Sequence, residues 1–215
     1  KTVVVTCFAA GLGAVLTPVG EPLSTILVNK LAGPPYNAGF FFPVDIFGIY
    51  VIPGVIALAV FGAIYIGRNI SLQAEMVDAK YTETLRGVIM RAVKVFIFVA
   101  ALILLGEGLK PLIIWYLDKI SPWALYWINT ISAVLDNATL TAVEIGPVMS
   151  RFQILSAILG LLIAGGMLIP GNIPNIVAAE RLKISMREWA VIGVPLGLVI
   201  MVIYFIALIF THTHV

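Results

Sequence analysis

Two hydrophobic stretches far apart in the chain are interrupted in the same way, and this limits the fold more than any other feature. Residues 13–22 read Gly-Ala-Val-Leu-Thr-Pro-Val-Gly-Glu-Pro, and residues 165–174 read Gly-Gly-Met-Leu-Ile-Pro-Gly-Asn-Ile-Pro. The first Gly, the Leu and both prolines align at one constant offset. Proline removes a backbone donor and clashes with the preceding turn, so neither stretch can continue an α-helix. Within a bilayer, freed backbone groups survive only where protein or a watery cavity satisfies them. Matched Gly/Pro breaks in two halves of a hydrophobic chain point to the binding site of a secondary transporter.

Composition agrees with a membrane setting. Apolar residues make up 61% of the chain and charged residues 11%, against about 25% charged in a soluble domain. The expected class is an all-α polytopic membrane protein. Its thirteen basic residues, for a net charge of +2, are scattered and form no face for nucleic acid. Cys7 is the only cysteine, so no internal disulfide is available and packing is its expected role. The chain opens at Lys1 without methionine, which reads as a fragment, a processed product or a sequence missing its beginning.

Residues 3–16 are apolar, break at Thr17–Pro22 and resume over 23–31. Neither piece reaches the roughly 20 residues of a span, but together they do. Asp45 is placed to cap a span from Ile46 to Ile66. Residues 68–87 form the one extended polar stretch. A further span runs from Val88 to Leu105, with Arg91 and Lys94 snorkelling to the interface, and residues 108–119, with Trp115 and Tyr116, read as interfacial. Residues 122–147 hold two apolar arms around Asp136 and Asn137, each too short to cross. They describe a re-entrant hairpin, with one span carrying a buried Asp and Glu as the alternative. A second discontinuous helix follows over 152–182, then a last span over 188–210. His212 and His214 belong to a tail read as solvated.

Basic residues favour the cytoplasm. Arg68, Lys80, Arg86, Arg91 and Lys94 mark one basic region; Arg181, Lys183 and Arg187 mark the other. Placing both inside sends the two broken helices in opposite directions, as an inverted repeat requires. Residues 1–67 then end a first repeat, 68–87 are a cytoplasmic loop and 88–215 are a second repeat. The expected location is the cell inner (plasma) membrane, multi-pass.

A charge near the bilayer centre needs a partner or a purpose. Asp136 can take a proton or give carboxylate oxygens to a cation, and Asn137 adds an amide oxygen or donor. Thr139 and Thr141 follow with hydroxyls. Asp136 is equally placed to cap the helix from Ala138. Glu21 sits within the first break, as a site carboxylate or as the cap of the half-helix beyond. Thr17, Ser24 and Thr25 flank it, with back-bonding to their own turn as the alternative. In the second break Asn172 and Asn175 stand near the equivalent places, and the backbone at Gly171 and Ile173 is free to act as ligand. Asp136 and Asn137 are the candidate sodium ligands. Glu144 is either a second titratable group or an exposed hairpin residue, and Glu107 reads as solvated.

At these residues the chain resembles the ion transporter superfamily of arsenite, citrate and dicarboxylate carriers and NhaD-type sodium/proton antiporters. Leu135-Asp136-Asn137-Ala138-Thr139 is similar to the hairpin tip of the antiporter branch. Residues 13–25 resemble that branch's Thr/Ser-Pro-Ile-Gly-Asp segment, with Glu21 in the acidic place, and residues 165–179 resemble its second discontinuous helix. The likeness is greatest to an uncharacterised prokaryotic, largely archaeal-type set of cation transporters. It implies two inverted repeats, each with a hairpin and a discontinuous helix, and a homodimer. No first hairpin is visible here, so the resemblance implies that a preceding portion or a separate chain supplies it.

The leading expectation is therefore cation (sodium)/proton antiport by alternating access, with Na+ and H+ as transported ions, no resident cofactor, and membrane lipid as surroundings. Trp115, Trp123 and Trp127 are candidates for an aromatic belt. The alternatives are an arsenite or carboxylate carrier, disfavoured because neither break contains Arg or Lys, and a non-transporting subunit of a larger membrane complex. An intramembrane aspartyl hydrolase needs two carboxylates at one centre. Asp136 and Glu144 lack the Gly-x-Gly-Asp setting, so the chain is read as not an enzyme.

Overall fold

A computed structural model describes residues 1–66, 85–108, 111, 115 and 119–213. The expected loop 68–87 lies outside these residues except at 85–87, as do most of 108–119 and the side chains of Arg91, Lys94, Glu107, His212 and His214. Among the described residues the regular elements are all helical. They are α1 (Thr2–Ala14), α2 (Pro22–Lys30), α3 (Phe42–Phe61), α4 (Leu85–Gly108), α5 (Pro122–Ile128), α6 (Asn137–Glu144), α7 (Arg151–Gly165), α8 (Ile173–Leu182) and α9 (Met186–Thr213).

Two stretches, Phe42–Ile64 and Met186–Thr211, are long and apolar enough to cross a membrane. Only 28% and 33% of their most apolar parts are buried, which is unlike the core helices of a soluble protein. Ile49, Ile56, Val191 and Ile203 point outward with no protein over them, an apolar surface that water would penalise. Among the described residues the fold is all-α, and the two spanning-length helices point to a membrane location. Asp45, expected to cap a helix from Ile46, instead lies in the first turn of α3. Pro43 fits a first turn because its missing N–H has no intrahelical partner there, so the helix starts earlier.

Both Pro-rich stretches are helix breaks. Helix stops at Ala14 and resumes at Pro22; it stops again at Gly165 and resumes at Ile173. The residues that restart each helix adopt nearly the same extended backbone, Glu21 at φ −156°, ψ 162° and Asn172 at φ −153°, ψ 145°. Each carbonyl accepts from two amides of the new turn, Ser24 and Thr25 in one case, Asn175 and Ile176 in the other.

The carbonyls stranded at the end of the first half-helix are met by side chains from the second. Ser24 Oγ donates to Ala14 O (3.4 Å), and Thr25 Oγ1 donates to Pro18 O. Asn175 Nδ2 donates to Gly165 O (2.8 Å) and Leu168 O (2.9 Å). Trp189 of α9, fully buried, adds an indole N–H to Gly166 O (3.2 Å).

α7 is the central post, buried from Gln153 to Gly165 and apolar nearly all round, as such a helix must be. It starts with a capping box, in which Ser150 and Gln153 satisfy each other's backbone. The hairpin's first arm, α5 continued by a 3-10 turn over Asn129–Ala133, runs along it. Asn129 Nδ2 donates to Ala157 O (3.1 Å) and Ser132 Oγ to Leu161 O (3.2 Å). Positions rise together on the two elements, so they run in parallel and the tip arrives at the level of the second break. The arm comes so close that a Cβ on Gly160 would lie 2.5 Å from Tyr126 O.

Asn175→Leu leaves the carbonyls of Gly165 and Leu168 without donors, and a buried unpaired polar group costs about 1–3 kcal/mol. Thermal unfolding of the purified protein in detergent should show a loss of that size. Ser24→Ala removes only a long bond and should cost about 1 kcal/mol or less.

Candidate functional site

The tip of the hairpin is where both breaks meet. Its first arm touches the second break: a Cβ on Gly171 would sit 2.5 Å from Ser132 O and 2.6 Å from Gly165 O. Only glycine permits that approach. Its second arm, α6, packs against α2, which leads out of the first break. There the Asn137 side chain adjoins the Glu21 carboxyl, and the Asp136 carboxylate is near enough for its charge to act on Glu21. α1 closes the triangle. Cys7 Sγ faces Pro174 O (3.7 Å), and Gly11 packs so tightly on the second break that a Cβ there would lie 2.6 Å from Asn172 Nδ2.

Glu21 is only 8% exposed. It occupies the capping position of α2, yet its side chain makes no capping bond, and its Oε1 is buried without a hydrogen-bond partner. Asn137, also buried, has its Nδ2 without a well-formed bond although the carboxyl is beside it. Pro22 fills the first position of α2, where a missing N–H costs nothing, and the amides that a cap would use, those of Leu23 and Ser24, are not met by the Glu21 side chain. A buried carboxylate that caps no helix is costly unless a cation or a proton joins it.

Asp136 is engaged differently. Its Oδ2 accepts from Thr139 N (2.8 Å) and Thr139 Oγ1 (3.0 Å), so it caps α6. The capping alternative drawn from the sequence is the one observed, and it leaves Asp136 half-buried beside Glu21. Thr139 is held as part of that cap. Thr141, buried, bonds back to Asn137 O (2.8 Å) within its own helix.

The remaining sequence candidates divide. Ser24 and Thr25 spend their hydroxyls on the backbone of the first break, and Thr17 is half-buried within it. Asn175 spends both amide hydrogens on the second break, while its Oδ1 remains buried and unpartnered. Asn172 and Gly171 are buried against α1 and the hairpin arm respectively. The structure thus gathers Glu21, Asp136, Asn137 and Thr139 on one side of the tip. It places Gly171, Asn172 and Asn175 on the other side, joined through Ser132 and α1.

Three helices begin here, α2, α6 and α8, and two half-helices, α1 and α7, end here. Helix N-termini carry partial positive charge and C-termini partial negative charge. Glu21 and Asp136 already sit at two of the three positive ends. Residues the sequence did not single out also build the site. Asn129 and Ser132 recur at i, i+3 in a mostly apolar arm, a polar stripe that could have marked them; Gly11 and Trp189 give no such signal. Among the described residues no group of three or more His, Cys, Asp or Glu side chains could hold a resident metal.

No curated protein and no solved structure matches the chain significantly. A family model described as "Protein of unknown function (DUF1646)" matches residues 1–211. With that match running over nearly all of its length, the chain belongs to the DUF1646 family.

Proposed function

We propose that the protein is a secondary transporter that exchanges a small cation, sodium by preference, for protons at the meeting point of the two breaks and the hairpin tip. The observation that carries this reading is Glu21: a buried carboxylate with an unsatisfied oxygen, set beside Asn137 and a second carboxylate, Asp136. Two acids in one poorly solvated place cannot both stay ionised cheaply unless a cation or a proton joins them. One or the other can occupy the gap, and that competition is the exchange. Glu21 carries the exchanging charge, while Asp136 holds the start of α6 and lends its field.

The inverted-repeat architecture and several membrane crossings belong to the same proposal. In its support, position rises along α1 from Cys7 to Gly11 as its partner falls from Pro174 to Asn172, the sense expected of antiparallel segments. The matched Ser24–Ala14 and Asn175–Gly165 bonds lend support of another kind. In this reading the chain sits multi-pass in the plasma membrane. Val19, Val134 and Leu135 are exposed beside the site, an apolar edge that a further hairpin or a second copy would cover.

Three convergent helix N-termini are the one observation that favours an anion carrier. Glu21 and Asp136 already supply negative charge at two of them, and a third anion would meet both. Cation exchange is the better fit.

In proteoliposomes, an imposed sodium gradient should move protons with the wild-type protein and not with Glu21→Gln. Asp136→Asn keeps a residue able to cap α6 and should slow exchange by about tenfold, the equivalent of about 1.4 kcal/mol. Undiminished exchange by a folded Glu21→Gln variant contradicts the proposal.

A further inference from the structure

The two spanning-length helices stand apart over part of their length, and the gap between them is a cleft that the proposed exchange does not use. α3 and α9 each carry an internal proline, Pro53 and Pro195, the residue at which helices commonly kink. Tyr204 Oη donates to Tyr50 O (3.0 Å), and Tyr50 Oη shares a hydrogen with Thr211 Oγ1 (2.6 Å). A Cβ on Gly54 would collide with the Tyr204 hydroxyl and lie 3.2 Å from Leu12 of α1. Gly54 thus meets Tyr204 while Tyr50 meets Thr211, so the two helices run antiparallel. Past this tyrosine strut their backbones barely approach each other.

The cleft encloses about 480 Å³ between Gly54 to Phe61 on one wall and Pro195 to Tyr204 on the other. Leu58 and Ile200, each 8% exposed, lie deep in it; Val199 and Ile203, each 57% exposed, form its mouth. Tyr204 holds the one polar side-chain atom of the lining, and that atom is committed to Tyr50 O. Such a lining has nothing to orient a polar ligand, as sites for polar small molecules do, and water would find no partners there.

The walls are the two helices whose apolar outer faces are uncovered, so the mouth opens onto whatever covers those faces. At a membrane that is hydrocarbon. Size decides between a lipid chain and a further helix. Pro195 to Ile203 spans about 12 Å at 1.5 Å per residue, and a helix 10 Å across would fill about 900 Å³ over that length. The cleft offers roughly half of that. A single flexible chain fits, and gives the lining atoms the contacts that an empty gap would forfeit.

We propose that the cleft between α3 and α9 binds one acyl chain of a membrane lipid, lodged beside the tyrosine strut. The site is separate from Glu21 and stands whether or not exchange occurs there.

Photolabelling of the full chain tests it. The probe is phosphatidylcholine carrying a diazirine midway along one acyl chain, as a minor component of dioleoylphosphatidylcholine proteoliposomes, with labelled residues located by peptide mass spectrometry. Wild type should carry label on Leu58 and Ile200 as well as on outward-facing Ile49 and Val191, which any surrounding lipid can reach. Ala57→Phe fills the cleft from its wall and should lose the label at Leu58 and Ile200 while keeping it at Ile49 and Val191. Val199→Phe is the second blocking variant should the first not fold. Label confined to Ile49 and Val191 in wild type overturns the proposal, as does label on Leu58 and Ile200 that persists in a folded blocking variant. In a Cys7→Ala background, Val199→Cys chains that join as disulfide-linked dimers while the cleft stays unlabelled assign it to a second copy, and overturn the proposal as well.

Discussion

A helix that breaks where water is scarce must find other partners for the carbonyls and amides it releases, and everything in this structure is arranged around two such breaks. Each is closed by the half-helix that follows it. Ser24 and Asn175 reach back to the last carbonyls of α1 and α7, and Trp189 reaches in from α9. With the released groups so tied, the breaks are fixed shapes against which other elements pack at glycine distance. Gly11 meets Asn172, and Gly171 meets Ser132. The site is a consequence of that packing, because Glu21 is the residue that restarts α2 and so must enter the junction.

The same physics assigns unequal roles to residues of similar chemistry. Asp136 and Glu21 both precede a helix, but the Asp136 carboxylate turns onto the third amide of its helix, whereas the Glu21 side chain makes no such bond. Asp136 is therefore held in a cap, and Glu21 is left with an unsatisfied oxygen. Asn175 and Asn137 differ likewise: one is committed to backbone carbonyls, the other has its amide nitrogen open toward the carboxyl. A free polar atom, rather than residue type, sets Glu21 and Asn137 apart from their committed counterparts.

Much of this could be read from the chain. Pro18, Pro22, Pro170 and Pro174 with their neighbouring glycines locate both breaks, and the short arms on either side of Asp136 locate the hairpin, because these are local consequences of missing donors and insufficient length. The helix ends beside the breaks and around Asp136 agree to within a residue or two, whereas α3 starts four residues early and α4 runs three residues further at each end. Asp45 misleads because Pro43 can begin a helix as readily as an Asp can cap one. Ser24, Thr25 and Asn175 look like ligands, yet bond to the breaks themselves; their residue types suit both tasks, and only the chain's path decides. Membership of DUF1646 places the chain in a family without assigning it a task, so the functional reading rests on the junction.

The most direct measurement of that junction is cross-linking. In a Cys7→Ala background, cysteines are placed at Glu21 and Asn137, and a protease site is introduced between the two halves, within residues 67–84. After oxidation and cleavage, the fragments should stay joined until reductant is added, while a control pairing of Glu21→Cys with a cysteine at outward-facing Val191 should separate. Fragments of the 21/137 pair that part as freely as the control would contradict the account, because the first break and the hairpin tip would not be in contact.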